Sequence, residues 1–235
     1  MLQSQNYIDG RPPYLTDFKN KKSIFLPNKK HSNLLDIGCG PGRSIDWYKN
    51  YTENIYCIDP DSENIKIIKN NYNYLNNCNF TVGRGEDIPY AGIKFDAIVC
   101  AGSLDWINLT EFCLELDRIA DKDTVYYFIW SWYDTRDEKT RSFYNIARNL
   151  LGANLGPSPD EVLRKGRFIL KNFKEESNSF KHSYDKSKIV KLIDSSSYWK
   201  ENRRCFLNES LDSFFTEDSV DLEFREYIIY GTREK

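Results

Sequence analysis

An open α/β sheet of mostly parallel strands joined by crossover helices is the fold class this chain predicts, on three observations. From about Asn33, short apolar runs alternate with longer helix-like stretches. The first of these runs leads straight into a cluster of glycines, and the second ends in an acid. The 235 residues are 40% hydrophobic and 29% charged, a globular composition too short for more than one or two domains.

Five strands are expected, at Asn33-Leu34-Leu35-Asp36-Ile37, Asn54 to Ile58, Asn79 to Val82, Phe95 to Cys100 and Thr124 to Trp130. The first crossover helix should begin near Arg43. A second opens at Asp61 or Ser62 and buries Ile65, Ile68 and Tyr72; a third opens near Asn108 and buries Phe112, Leu116 and Ile119. Each strand is thus expected to be followed by a helix long enough for a right-handed crossover. Beyond Trp132 the rhythm changes. Asp137 to Leu151 puts Phe143, Ile146, Ala147, Leu150 and Leu151 on one helical stripe, stopped by Gly152. Gly156-Pro157-Ser158-Pro159 breaks the chain, Gly166 to Ser183 alternates poorly, and Ile189 to Ile193 reads as one more helix. Leu222 to Thr232 is strand-like and suits an antiparallel strand closing one edge of the sheet.

Thirty-three Lys and Arg stand against 35 Asp and Glu, so the net charge of −2 provides no overall basic field for nucleic acid or membrane. Apolar runs such as Val125 to Trp132 fall far short of the roughly 18 residues needed to cross a bilayer. Met1 to Asn6 lacks an export signal's features, so a cytoplasmic protein is expected. The six cysteines (Cys39, Cys57, Cys78, Cys100, Cys113, Cys205) form no C-x-x-C pair, and with only two histidines no structural metal is expected. Apolar neighbours mark most of them as packing thiols.

The strongest chemical signal is Leu34-Leu35-Asp36-Ile37-Gly38-Cys39-Gly40-Pro41-Gly42. Glycines belong there because the chain must turn sharply and let a ligand approach where a Cβ would clash. The dinucleotide pattern G-x-G-x-x-G fails at Arg43, and no G-x-x-x-x-G-K-[ST] loop exists. Asp59, closing the second strand, can accept hydrogen bonds from both hydroxyls of a ribose. Asp36 adds a second carboxylate beside the turn, which suits a cationic ligand better than a pyrophosphate. Ribose and cation together describe S-adenosylmethionine.

On these residues the chain resembles the class I S-adenosylmethionine-dependent methyltransferases. Within them it looks like the type 11 domain group that includes ubiquinone/menaquinone-biosynthesis and trans-aconitate methyltransferases. Asp36 to Gly42 matches that group's first motif, Asp59 its ribose acid, and Gly83-Arg84-Gly85-Glu86-Asp87-Ile88-Pro89-Tyr90 its loop after the third strand. Tyr7 to Tyr14 resembles an N-terminal R-P-x-Y element, and Leu192 to Tyr198 a late helix-and-serine segment. The resemblance implies a doubly wound, Rossmann-like α/β fold with a mostly parallel seven-stranded sheet and an antiparallel strand at one edge. It implies one domain: an N-terminal arm (1–30), a cofactor-binding half (31–132), a substrate-side cap with late helices (133–210) and a closing edge strand (211–235).

By the same resemblance S-adenosylmethionine is the cofactor. Asp36, Gly38, Cys39 and Gly40 are expected at its methionine end, Asp59 and Pro60 at its ribose, and the loop bearing Gly85, Glu86 and Asp87 at its adenine. Arg84 stands where the family usually carries an acid, and a guanidinium cannot accept a hydrogen bond. That role passes to Glu86, to Asp87, or to backbone alone. Carbonyls of Cys100 and Ala101, at the end of the fourth strand, are expected to meet the ligand's amino group.

The acceptor is expected to be a small molecule, with no nucleic acid or membrane partner. Arg11 and Tyr14 from the arm, and Trp106, Trp130, Trp132 and Tyr133 near strand ends, are candidates to wall its pocket, with ordinary packing the competing reading for each. An in-line displacement needs alignment more than a catalytic side chain; His182 is the weak candidate base where one is required. Three other readings stay open: an RNA or protein methyltransferase, an aminopropyltransferase of the spermidine-synthase type, and a binding module without turnover.

Overall fold

Leu34, Leu35, Asp36 and Ile37 are all buried because their strand lies inside the sheet, flanked on both sides. β1 (His31–Ile37) runs parallel to β2 (Thr52–Asp59) on one side and β4 (Phe95–Ala101) on the other, with Leu34 opposite Ile55 and Ala97. β3 (Cys78–Val82), β5 (Ala120–Tyr133), β6 (Asn172–Asp185) and β7 (Ser219–Thr232) complete a seven-stranded sheet of order β3-β2-β1-β4-β5-β7-β6. The first five strands are parallel, and β7 is antiparallel to both β5 and β6. The computed structural model describes residues 2–14, 30–152, 158–196 and 203–233.

Side-chain alternation along the strands builds two apolar layers. Leu34, Ile55, Cys57, Val99 and Tyr127 pack on one face of the sheet, and Leu35, Ile58, Ile98, Cys100 and Phe128 on the other. The surrounding helices are α1 (Leu2–Gly10), α2 (Ile45–Tyr48), α3 (Ser62–Asn71), α4 (Leu109–Ile119), α5 (Glu138–Leu151), α6 (Pro159–Ile169), α7 (Lys186–Asp194) and α8 (Arg204–Phe214). Side-chain acceptors set the starts of α3, α4, α5 and α7: Asp61 takes the N–H of Glu63, Asn108 that of Thr110, Asp137 that of Thr140 and Asp185 that of Lys188. The expected stripes Ile65/Ile68, Phe112/Leu116/Ile119 and Phe143/Ala147/Leu150 are buried, and Gly152 ends α5 at φ +95°. Tyr72, Ile146 and Leu151 are only partly buried. Phe143, Leu150, Tyr184, Leu192, Leu207 and Leu211 form a third cluster, joined by Leu222 and Phe224 of β7, which seats the late helices on the end of the sheet.

Four details differ from the sequence pattern. The helix after the glycine turn is a single turn, α2, followed by a 3₁₀ turn at Lys49–Tyr51, because Trp47 and Tyr48 are drawn into the core immediately before β2. No helix joins β3 to β4; residues 83–94 instead fold back on themselves through an Arg84–Asp87 bridge. Gly166 to Ser183 holds the end of α6 and most of β6. β6 is an edge strand whose first six residues are exposed, so it shows charge where a central strand would show apolar alternation. The closing strand therefore lies one place in from the edge, and its segment 211–235 begins with the last turn of α8. Gly156 and Pro157 of the expected break, and Ser197 and Tyr198 of the late segment, lie outside the described residues.

Candidate active site

Strand order reverses between β1 and β4, so their carboxyl ends splay connections to opposite sides and leave a crevice between them. The turn after β1 enters that crevice. Gly38 (φ +68°) and Gly40 (φ +53°) adopt left-handed backbone that favours glycine. A Cβ on Gly38 would stand 2.4 Å from the Cβ of Ser103, whose hydroxyl donates to the Ile37 carbonyl at 2.5 Å. A Cβ on Gly40 would meet nothing within 4 Å; it points into open space on the cavity wall. The turn is tied to β2 twice over. The N–H groups of Gly38 and Cys39 donate to the Ile58 carbonyl, and that of Gly40 donates to Oδ2 of Asp59 at 2.8 Å. Asp59 Oδ1 accepts from the Asp61 N–H (2.9 Å) and from Asn64 Nδ2 (3.1 Å).

A cavity of about 320 Å³ runs from this turn past Asp59 and Pro60 to the Gly83–Glu86 loop, with Ser103, Trp106 and Ile107 on its far wall. Ser4 and Tyr7 of α1 and Ser195 after α7 roof it. Of the residues assigned from sequence to the cofactor, Gly38, Gly40, Asp59, Pro60, Gly85 and Glu86 line this cavity. Asp36, Cys39, Asp87, Cys100 and Ala101 do not. Asp36 is wholly buried behind the turn, where its Oδ2 accepts from Ser44 (2.5 Å) and Tyr48 (2.7 Å); burial pushes its carboxyl up to about 6 against those bonds. Its Oδ1 has no partner among the described residues. Cys39 and Cys100 are buried in opposite apolar layers, and burial drives both thiols up. The Ala101 carbonyl accepts from Tyr14 at 3.5 Å. Asp87 is exposed, with its N–H on the Arg84 carbonyl. Glu86 lines the cavity, but its Oε1 already accepts the Asn108 N–H at 2.8 Å.

A second cavity, of about 250 Å³, adjoins the first and shares Tyr7, Gly102, Trp106 and Ser195 with it. Arg11, Tyr14, Trp106, Trp130, Trp132 and Tyr133 all line it. Trp130 and Trp132, on one face of β5, stack with centroids 6.2 Å apart, and Tyr133 meets Trp132 edge-on. His182 lies elsewhere, on β6, edge-on to Tyr184 at 4.8 Å, and lines neither of these cavities; burial and the nearby Lys188 and Arg43 lower its basicity. His31, on β1, sits 3.1 Å from the Tyr127 hydroxyl in the core.

Sequence reasoning missed several wall residues. Arg43, read as a helix start and as the residue that spoils a dinucleotide motif, reaches the second cavity and lies 4.5 Å over the ring of Tyr14 and 5.2 Å over that of Tyr7. Tyr7 arrives on α1, which packs so closely on α7 that a Cβ on Gly10 would fall 2.4 Å from the Leu192 nitrogen. An Asp9–Lys191 ion pair at 2.8 Å fastens the same contact. Burial raises the Tyr7 phenol, but Arg43 and Arg11 beside it outweigh that and hold it below its ordinary value. Asp105 also lines the second cavity, its carboxyl pushed up to about 6 by burial. Helix-to-helix packing of this kind leaves no local sequence signal.

Whether these walls suit S-adenosylmethionine is decided by their chemistry. Gly40 leaves backbone open to the ligand, the Asp59 carboxylate keeps about one acceptor site for a ribose hydroxyl beyond its three present bonds, and Pro60 and Ile107 offer apolar walls for a base. The residues fit. Residues 35–128 match the family described as "Methyltransferase domain". The chain is 26% identical over 174 residues to a Saccharomyces cerevisiae protein named "Probable S-adenosylmethionine-dependent methyltransferase CRG1", a match covering 69% of this chain and 58% of the relative's length. Among solved structures, the YcgJ protein of Bacillus subtilis superposes with a TM-score of 0.62 at 14% identity, covering 92% of this chain and 96% of that one. A geranyl diphosphate methyltransferase in complex with S-adenosylmethionine gives 0.51 at 14% identity, with 99% and 85% covered. Residues 35–128, with their glycine turn, Asp59 and the sheet order that frames them, thus carry the likeness to S-adenosylmethionine-dependent methyltransferases.

Proposed function

We propose that the protein transfers a methyl group from S-adenosylmethionine to a small molecule held in the aromatic second cavity. The observation that carries this reading is the shared wall: Tyr7, Gly102, Trp106 and Ser195 border both cavities, so a donor in one and an acceptor in the other would meet there. When bound, S-adenosylmethionine supplies a methyl group already activated on a sulfonium. The chain's part is alignment. Asp59 and the Gly38–Gly40 turn set the donor's depth, the Trp130–Trp132 stack sets the plane of an acceptor, and α1 covers both from water. A cavity of about 250 Å³ suits a small acceptor better than a polymer chain. A small substrate is also what the geranyl diphosphate methyltransferase's name states for that enzyme.

The test is purification followed by mass spectrometry for co-purifying S-adenosylhomocysteine, then incubation of metabolite, RNA and protein extracts with cofactor carrying a labelled methyl group. Label appearing in the metabolite fraction is the expected result. Label only in RNA or protein would move the acceptor to a polymer, and label nowhere would argue for a module that binds without turnover. Among the described residues, no helix is long and apolar enough to cross a membrane.

A further inference from the structure

The second cavity holds two guanidiniums, Arg11 and Arg43, that pair with no carboxylate among the described residues, although Asp105 lines the same cavity. Arg11 is half-buried and donates from Nε to Ser195 Oγ at 3.2 Å; Arg43 is half-buried over the rings of Tyr7 and Tyr14. Arg11 also lies 5.0 Å over Tyr7, so both cations crowd one phenol. Arginines elsewhere in the fold, partly buried ones included, take carboxylates, as Arg167 does with Glu175, Arg204 with Asp194 and Arg233 with Asp117. Neither Arg11 nor Arg43 makes an ion pair among the described residues. Asp9, the nearest acid in sequence to Arg11, is occupied by Lys191. Partly burying two like charges side by side is unfavourable unless something anionic completes them.

Other polar atoms on the same wall are also unfulfilled. Trp130 Nε1 and Ser131 Oγ are buried and have no hydrogen-bond partner among the described residues, and both residues line this cavity. A guanidinium and an indole N–H can only donate, so what they await is acceptor-rich. The Trp130–Trp132 stack and Tyr133 provide a flat apolar surface beside them.

We infer that the second cavity recognises an acceptor made of a planar apolar body bearing an oxyanion, carboxylate or phosphate, and that Arg11 and Arg43 hold the oxyanion. This rests on the two-cavity reading of function above. Both arginines line the second cavity and not the first, which assigns them to the acceptor and not to the cofactor's own carboxylate. An anion near the sulfonium side of the shared wall is also electrostatically suited to a cationic donor.

Calorimetry on the whole chain saturated with S-adenosylhomocysteine tests this with three probes of similar shape: trans-cinnamate, phenyl phosphate and cinnamyl alcohol. At least one anion should bind at least about ten-fold more tightly than the alcohol, and which anion does so separates the carboxylate from the phosphate source. Arg11→Gln and Arg43→Gln should each cut anion affinity by about ten-fold or more, leaving affinity for S-adenosylhomocysteine nearly unchanged, and Arg43→Lys should retain part of it. Equal binding of anions and alcohol would overturn the inference, and that comparison needs only the wild-type protein. So would variants that weaken S-adenosylhomocysteine instead, since the arginines would then serve the cofactor. If the wild-type protein does not bind S-adenosylhomocysteine at all, it is the functional reading that fails, and the anion comparison repeated without it still decides whether the arginines form an oxyanion site.

Discussion

Asp59 Oδ2 accepts a hydrogen bond from the backbone N–H of Gly40 at 2.8 Å, so the acid that ends β2 braces the glycine turn that ends β1. One carboxylate thereby shapes both the floor and the side wall of the first cavity. Replacing it removes a turn restraint and, on the proposed function, a ribose acceptor together. Asp59→Ala should weaken S-adenosylhomocysteine binding by about 1.5–3 kcal/mol, the range for hydrogen bonds to a charged group, and lower the unfolding temperature as well. Calorimetry beside thermal denaturation checks both; unchanged cofactor affinity would remove Asp59 from the site.

The two glycines of the turn should respond differently to alanine. At Gly38 the new Cβ meets Ser103 at 2.4 Å in left-handed backbone, so Gly38→Ala should cost about 2–4 kcal/mol of stability. Gly40→Ala meets no protein atom within 4 Å, so its stability cost should be about 1–2 kcal/mol from backbone strain alone. Its methyl group, however, enters the cavity, and cofactor affinity should drop out of proportion to that cost. Chemical denaturation paired with a ligand titration separates the two.

Asp105 has its carboxyl raised from 3.8 to about 6 by burial. A carboxyl held above its unfolded value keeps its proton more firmly in the folded state, so its favourable contribution is complete below about pH 4 and is lost as pH rises through about 6. Asp36 acts in the same direction over the same window. Asp105→Asn should therefore raise stability at pH 7 by about 1–3 kcal/mol, with the gain shrinking toward zero by pH 4. Denaturation curves at several pH values test it; a gain that does not vary with pH would rule out the charge as its cause.

α1 should be separable from the rest of the fold. A side chain at Gly10 collides with backbone of α7 at Leu192, so Gly10→Val should lift α1 and carry Tyr7 away from the shared wall. Amide exchange in residues 2–14 should quicken while β1, β2 and β4 stay protected, and the acceptor's KM should rise. Uniform loss of protection across the sheet would show that α1 is part of the global folding unit.

The strands, the helix caps and the cofactor turn were legible because each is written locally. Apolar alternation marks β1 to β5, Asp61, Asn108 and Asp137 open helices by bonding their own neighbours, and glycine at 38 and 40 is required by backbone geometry. The wall aromatics Trp130, Trp132 and Tyr133 could be marked for the same reason: they lie at the carboxyl end of a recognisable strand.

By itself, the sequence determined the sheet's parallel half, where periodicity and turn chemistry act over a few residues, and with it the acid that closes β2. Tertiary structure alone decided that Asp36 turns inward to Ser44 and Tyr48, that Arg43 and Arg11 converge on Tyr7, and that an exposed, charged β6 forms the edge outside β7. Those outcomes depend on which surfaces meet, and contacts between residues far apart in the chain follow from packing the whole molecule, not from any local propensity.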